Sequence, residues 1–440
     1  MGAIAHRVAR LFHVEPGEVA PATAGFAMFF LLFAGYFLLR PVRETMGIAG
    51  GVENLQWLFT GTFVATLAAL PLFGWIASRV QRRRILYWLF GFFATNLLAF
   101  AMGMLAWPDD PWLARAFYIW LSMFNLVAIS AAWSVLADLF APAEARRLFA
   151  LIASGASLGG LTGPLLGVLL VARIGHAGLL ILSAILLIAS AVCARPMHAW
   201  RSLHPRPATQ SIEWQTPLGG SAFSGAVEVL RSPYLLGIAL YVLLLASVST
   251  FLYFDQARLV GAAYPDKIDQ TRIFGTIDVL VQALAIVSQL FIAGRLAQRL
   301  GIGVLLVAVP LLTAAGFFWL TLAPTFAVLA VVMVVRRSGE YAFVRPGREM
   351  LYTVLPPQEK YKAKNFNDTV VYRGADAVSG WVKASVDLLA QQPAVATALG
   401  ALVALGWALA GGVLARRQRL LEATVDMPPP ATPKTTGAGA

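Results

Sequence analysis

The chain has 440 residues, 59% of them hydrophobic, and its mean hydropathy of +0.72 excludes an ordinary soluble protein, whose apolar share is about 45–50%. A formal charge of +12 would suggest nucleic-acid binding in a soluble protein, but here the basic residues lie in short segments between apolar runs. We therefore expect no nucleic-acid partner. The single cysteine, Cys193, excludes an intrachain disulfide and a cysteine-based metal site, and we expect no metal and no cofactor.

Twelve apolar runs follow one another along the chain, each near the ~20 residues that a bilayer span needs. They cover residues 22–47, 54–78, 85–106, 112–140, 148–172, 177–194, 234–256, 271–295, 303–323, 325–348, 366–390 and 394–415. The pattern predicts an all-α polytopic membrane protein with twelve transmembrane helices in two pseudo-symmetric six-helix bundles.

The longest polar stretch between runs contains several prolines and glycines and divides the chain in two. We expect a cytoplasmic N-terminal segment (1–21), an N-terminal bundle (22–194), a cytoplasmic central loop (195–233), a C-terminal bundle (234–415) and a cytoplasmic disordered tail (416–440).

Basic residues follow every even-numbered run. They are Arg79 and Arg82 to Arg84; Arg146 and Arg147; Arg195, Arg201 and Arg206; Arg295 and Arg299; the lysines between Lys360 and Lys364; and Arg416, Arg417 and Arg419. The positive-inside rule then places both termini in the cytoplasm. We expect an integral protein of a bacterial inner membrane, monomeric, with the lipid bilayer as its main partner.

A short motif recurs in the two halves. Gly74 and Arg79 end the second run, and Gly294 and Arg299 end the eighth with the same spacing. This resembles the Gly-x-x-x-x-Arg loop signature of the major facilitator superfamily. Glycine permits close helix contact and arginine can bond across the interface between bundles, so we expect these four residues to act in conformational gating.

The fifth run carries Gly155, Gly159, Gly163 and Gly167 at a spacing of four. Two interpretations stay open. The stripe is either an ordinary small-residue packing surface, or it resembles the glycine-proline motif of facilitator-type antiporters, in which that face meets the other bundle.

The first run contains Arg40, Arg43 and Glu44, with Arg40 and Glu44 one helical turn apart and able to pair. Intramembrane arginines normally face a protein interior or an aqueous cavity, so we expect these residues to bind substrate. The alternative is a cluster at the membrane interface.

Charge is densest between runs ten and eleven. The candidates for substrate binding there are Arg345, Arg348, Lys364, Asp368, Tyr372 and Arg373. Lys360 and Lys362 fit a basic loop on the inner leaflet equally well.

Two residues in other runs have two interpretations each. In the fourth run, Trp133 either stacks on a planar ligand or packs in the core. In the eighth run, Asp278 is either a proton relay or the partner of an arginine. Residues 253–258 are read as the outer end of the seventh run.

Basic candidates outnumber acidic ones at these positions, so a net positive cavity and a small anionic substrate are expected. Arginine forks suit carboxylate and phosphate.

The chain resembles the ATP/ADP-type nucleotide transporters of plastids and obligate intracellular bacteria. The resemblance lies in residues 36–45, in Trp133 with Ser134 and residues 144–149, in residues 340–352, and in residues 362–364 and 371–374. It implies a facilitator-type fold and a nucleotide-like anionic substrate, with Arg43 at a position where the family has lysine and Lys364 at a second basic position. The family's acidic residue before the span-four tryptophan is replaced by Ala131 and Ala132, and none matches in residues 246–250.

The leading hypothesis is therefore a secondary active transporter that moves an organic anion by alternating access, through exchange or symport. A second is a proton-coupled exporter of drugs or metabolites with Asp278, Asp368 or Glu44 as proton carrier. A third is a transporter-like sensor or scaffold. An enzyme is not expected, because the sequence shows no Walker loop, no metal cluster and no supported nucleophile–base pair.

Overall fold

A computed structural model describes residues 15–79, 84–204, 225–390 and 392–425, and within these ranges the chain is helical apart from turns. The long helices are α1 (Val19–Ala49), α2 (Leu55–Arg79), α3 (Ile85–Ala106), α4 (Pro111–Leu139), α5 (142–174), α6 (176–203), α7 (Pro233–Ala263), α8 (Lys267–Leu300), α9 (Ile302–Leu322), α10 (326–351), α11 (357–390) and α12 (Pro393–Val425). A short helix, Ala226–Arg231, precedes α7.

Helices α5 and α6 form one continuous element, Pro142–Leu203, that is bent at Gly175. The φ of Gly175 is +67°, in the left-handed region that side chains with a Cβ avoid. Three other helices contain a π-helical turn. It lies at Gln289–Ala293 in α8, at Glu340–Val344 in α10 and at Asn367–Val371 in α11.

By length and composition, eight helices of the described residues are long and apolar enough to cross a membrane, when α5 and α6 are counted together. They are α1, α3, α4, α5–α6, α7, α8, α9 and α12. Helices α10 and α11 fall outside this set and carry much of the charge in the second half. The protein is thus an all-helical membrane protein within its described residues.

The helices begin and end close to the predicted runs, with four corrections. Helix α11 begins at residue 357, well before its predicted start at 366. Helix α7 continues to Ala263, α6 to Leu203 and α12 to Val425, so residues 195–203 and 416–425 are helical instead of loop and tail. Arginine, glutamine, glutamate and leucine in these extensions favour helix although they lower the hydropathy. Residues 15–21 and 225–233 of the predicted N-terminal segment and central loop are described and are largely helical, whereas residues 1–14, 205–224 and 426–440 lie outside the described residues.

Two separate hydrophobic cores fill the molecule. The buried residues of one lie between Ala22 and Met197, and those of the other between Val229 and Ala415. We call these two parts the first and second half. A smaller cluster, built from residues such as Leu58, Tyr118 and Phe254, contains residues of both halves. The main apolar stabilisation is therefore internal to each half.

The halves meet at the end of the molecule that carries residues 50–54, 107–110 and 264–266, which we call the closed end. Lys267 there forms an ion pair with Asp109 at 2.8 Å, and the rings of Trp57 and Trp381 are 4.9 Å apart. The hydrogen bond from Lys267 lowers the pKa of Asp109.

The glycine stripe of α5 packs against α1 of its own half. A Cβ at Gly155, Gly159 or Gly163 would overlap the carbonyl oxygens of Phe26, Phe30 and Ala34, respectively. The ordinary packing interpretation is therefore correct, and the stripe does not meet the other half. Its neighbour Gly160 does face the second half, where Gln282 lies near it.

We expect Gly159→Ala to destabilise the protein by about 1–3 kcal/mol, because the added methyl group would displace the α1 backbone. The measurement is the thermal unfolding temperature of the purified protein in detergent. Gly91→Ala is the matched control, since nothing lies within 4 Å of a Cβ at that helical position. Equal unfolding temperatures for the two variants would contradict the packing described here.

Candidate functional site

A cavity of about 600 Å³ lies between the two halves and is lined by α1, α2 and α4 of the first half and by α7, α8, α10 and α11 of the second. Thirteen of the residues that line it are charged. They are Arg40, Arg43, Glu44, Asp278, Arg336, Arg337, Glu340, Arg345, Arg348, Glu349, Asp368, Arg373 and Asp376. These are seven arginines and six carboxylates, so the predicted positive excess is present but amounts to one charge.

Asp278 on α8 contacts two arginines, of which Arg40 belongs to the first half. Its carboxylate lies 2.6 Å from Arg337 of α10 and 3.6 Å from Arg40 of α1. Asp278 is buried, with 3% of its surface exposed, and Arg337 is 7% exposed. The arginine-partner interpretation of Asp278 therefore describes this structure. Arg40 also approaches the hydroxyl of Tyr341 at 3.5 Å.

Arg43 pairs with its neighbour Glu44 at 2.5 Å, donates to Ser122 at 3.3 Å and lies over the ring of Tyr118. The pairing of Arg40 with Glu44 that the spacing permits is thus not the one that forms. Arg40 faces the second half, where Asp278 provides its ionic partner, whereas Arg43 remains within the first half.

The π-helical turn of α10 places Glu340 between two arginines. Arg336 lies 3.1 Å from Glu340 and 2.8 Å from Ser249, and Arg345 lies 3.6 Å from the other carboxylate oxygen of Glu340. Arg345 also covers the ring of Tyr341 at 4.3 Å, and its side chain is 55% exposed. Arg345 is thus an accessible guanidinium group on the cavity wall. A π-helical turn often marks a functional site in a helix.

Helix α11 adds two further pairs. Asp368, in its π-helical turn, contacts Arg348 of α10 at 3.0 Å, while Arg373 contacts Asp376 at 3.4 Å. Thr250 of α7 donates to Asp376 at 3.1 Å. Tyr372 lines the cavity beside Arg373. These contacts connect α7, α10 and α11 into one charged wall.

The part of the cavity wall that α2 and α4 form, which we call the uncharged wall, has no charged side chain. Thr62 and Thr66 are 5% and 1% exposed, and their hydroxyl groups have no hydrogen-bond partner within the described structure. The side-chain oxygen of Asn125 is unpartnered as well. All three residues line the cavity. Buried polar atoms usually have a partner, so these three atoms lack a hydrogen bond that the folded protein would normally provide.

Two predicted binding residues lie elsewhere. Trp133 packs in the first core against Phe29, with ring centroids 4.6 Å apart, and is not part of the cavity wall. Lys364 pairs with Glu349 at 2.7 Å behind the wall. The packing interpretation of Trp133 is the one that the structure shows.

The predicted gating residues end their helices away from the cavity. Arg79 and Arg299 are exposed, and nothing lies within 4 Å of a Cβ position at Gly294, so no close helix contact forms there. The surroundings of Gly74 lie outside the described side chains.

Sequence reasoning missed Arg336 and Arg337, which follow directly on the apolar part of run ten. Two adjacent arginines inside a span are themselves a signal of a cavity. It also missed Lys383, which is 1% exposed and pairs with Asp255 and Asp387 at 2.8 Å each. Residues 253–258 accordingly belong to the interior of α7, and not to its outer end.

Comparisons with known proteins agree with this architecture. The family model of the Major Facilitator Superfamily matches residues 20–363. The chain is 24% identical to ADP,ATP carrier protein 1 of Chlamydia muridarum, in an alignment that covers 96% of this chain and 95% of the relative. It is also 24% identical to ADP,ATP carrier protein 1 of Chlamydia trachomatis, over 89% of this chain and 88% of the relative.

Solved structures of transporters share the fold at 14% identity. They include a bacterial homologue of the human lysosomal transporter Spinster (TM-score 0.58, 95% of this chain and 100% of that chain), the nucleoside transporter NupG (0.57, 91% and 99%) and the POT family transporter PepTSo (0.64, 91% and 98%). The chain therefore belongs to the Major Facilitator Superfamily, as a transporter with distant, nearly full-length similarity to ADP,ATP carrier proteins.

Proposed function

We propose that the protein is a secondary active transporter that moves a small organic anion, of the nucleotide-like phosphorylated kind, by alternating access. The observation that carries the proposal is the arginine-rich cavity between two separately packed halves. Guanidinium groups bind phosphate and carboxylate through paired, charge-assisted hydrogen bonds. A cavity whose wall is shared by two halves gives a ligand different contacts when the halves move.

The architecture proposed with this function has twelve membrane-spanning helices, α1 to α12, in two six-helix bundles. The separate cores support the division into bundles. We further propose that both termini are cytoplasmic in a bacterial inner membrane and that the protein acts as a monomer. The basic residues at the ends of α2 and α12 support that orientation. The closed end then faces outward.

A nucleotide-like substrate is supported by the names of the Chlamydia relatives. Arg40, Arg43, Arg345, Arg348 and Arg373 would contact the anionic group. Glu44 and Asp368 hold two of these arginines in place, and Tyr372 offers a ring for stacking.

Anion binding would act on the conformational cycle through the Arg40–Asp278 contact. A ligand anion would compete with Asp278 for Arg40. At 3.6 Å, the Arg40–Asp278 contact is longer than the Arg337–Asp278 contact at 2.6 Å, and it is therefore the one that a ligand displaces more easily. Losing that contact would loosen the connection between α1 and α8. Arg79 and Arg299, together with Gly74 and Gly294, are proposed to affect the rate of this cycle without contacting the ligand.

Arg345→Gln should weaken binding of a labelled nucleotide about tenfold, because one charge-assisted bond to an anion is worth roughly 1.5–3 kcal/mol. The assay is uptake into proteoliposomes, with and without preloaded unlabelled nucleotide. Arg416→Gln, an exposed arginine on α12, is the matched control and should transport normally.

Stimulation by preloaded nucleotide supports exchange. Uptake that depends only on a pH gradient would favour the proton-coupled exporter instead, and a folded protein that neither binds nor transports any anion would favour a sensor or scaffold.

Asp278→Asn should destabilise the folded protein by about 3–5 kcal/mol, because it leaves Arg337 buried without a counter-charge. Thermal unfolding in detergent measures the effect, and adding Arg337→Gln should restore part of the loss. Asp109→Asn is the matched control, because it makes the same substitution in the exposed ion pair with Lys267. The unfolding temperature of this variant should equal that of the unsubstituted protein. If Asp278→Asn kept full stability and lost only pH-driven uptake, the proton-relay interpretation would replace this one.

A further inference from the structure

Some arginines of the cavity wall have a carboxylate partner of their own, and others share one. Three arginines have a carboxylate of their own: Arg43 with Glu44, Arg348 with Asp368, and Arg373 with Asp376. Glu349 is balanced from behind the wall by Lys364. The other two carboxylates are each shared by two arginines.

The first shared carboxylate is Asp278, between Arg40 and Arg337, and the second is Glu340, between Arg336 and Arg345. Each group of three carries one surplus positive charge. With Lys364 included, the site therefore has a surplus of two charges, located at these two groups.

Tyr341 joins the two groups. Its hydroxyl lies 3.5 Å from Arg40 of the first group, and its ring lies under the guanidinium of Arg345 of the second, 4.3 Å from it. Arg40 belongs to the first half and Arg345 to the second. An anionic group beside Tyr341 would thus contact arginines of both halves.

The uncharged wall has the unpartnered hydroxyl groups of Thr62 and Thr66 and the free side-chain oxygen of Asn125. Both threonines are more than nine-tenths buried. A bare inorganic anion would leave these groups without a partner, at a cost of about one lost hydrogen bond each. They fit the hydroxyl and amide functions of an uncharged organic part.

We propose that the cavity is built for a phosphate monoester: one doubly negative group beside Tyr341, attached to an uncharged polar body that contacts Thr62, Thr66 and Asn125. This inference rests on the proposed transport of an organic anion and narrows its substrate class. Two negative charges cancel the surplus of the wall. A triphosphate brings about four, so two remain uncompensated among six carboxylates in a low-dielectric site.

We call the match between two ligand charges and two surplus wall charges the charge rule. Equilibrium binding to the purified full-length protein in nanodiscs tests it, with adenosine, AMP, ADP, ATP and inorganic phosphate as probes. The three nucleotides share the adenosine part and differ in charge, whereas adenosine lacks the phosphate and inorganic phosphate lacks the adenosine. AMP should bind at least tenfold more tightly than ATP, and more tightly than adenosine or phosphate. ATP binding as tightly as AMP or more tightly would overturn the inference and leave the anion transporter intact. Binding of none of the anions would overturn the proposed function as well.

Glu349→Gln tests the same rule within the protein, because it frees Lys364 and adds one positive charge to the wall. The preference for AMP over ATP should fall several-fold. Glu359→Gln, an exposed carboxylate on the first turn of α11, is the matched control and should keep the original ratio. An unchanged ratio in Glu349→Gln would contradict the charge rule.

Thr66→Val tests the uncharged wall. The hydroxyl has no partner without ligand, so its removal should raise the unfolding temperature. The affinity for AMP should fall about fivefold, and the affinity for inorganic phosphate should stay the same. Thr95→Val, at an exposed position on α3, is the matched control and should change neither. Unchanged AMP affinity in Thr66→Val, with the rise in stability, would show that this hydroxyl does not meet the ligand and would overturn the assignment of the body to this wall.

Discussion

The need to neutralise buried charge governs how the second half is assembled. Arginines and carboxylates inside a membrane protein are costly unless they are paired with good geometry. Helices α10 and α11 carry too much charge to be held by apolar surface alone. They are held through ionic contacts such as Arg348 with Asp368 and, one layer further from the cavity, Lys383 with Asp255 and Asp387. These ion pairs lower the free-energy cost of burying charged side chains in the membrane. The pair of Arg348 with Asp368 also fixes side chains that line the cavity.

These contacts differ in what happens to them when the halves move. Arg43 with Glu44 and Arg373 with Asp376 lie within one half and keep their partners in any rigid-body motion. Arg40 with Asp278 and, at the closed end, Lys267 with Asp109 cross between the halves. Only contacts of the second type can change in strength during the cycle. The first type keeps the binding groups in position throughout.

The sequence allowed good prediction of what depends on local pattern. Helix limits follow from runs of apolar residues, and the helices that contribute charge to the cavity follow from arginines within those runs, as for Arg40 and Arg345. Partners between helices do not follow, because they depend on packing that has no periodic signal. Spacing suggested Glu44 for Arg40, but tertiary contact with Asp278 prevailed. Lys383 was missed for another reason: it and Asp387 lie in a stretch of α11 that is otherwise largely apolar.

The π-helical turns in α10 and α11 have a consequence for how such a site arises in evolution. A π turn is equivalent to one extra residue inserted into an α-helix, and each residue advances a helix by about 100°. Removing one residue between Glu340 and Val344 would restore a regular helix but turn Arg345 and Arg348 about 100° relative to Arg336. Single-residue insertions and deletions at these two turns are therefore a short genetic route by which related transporters change which charges face their ligand.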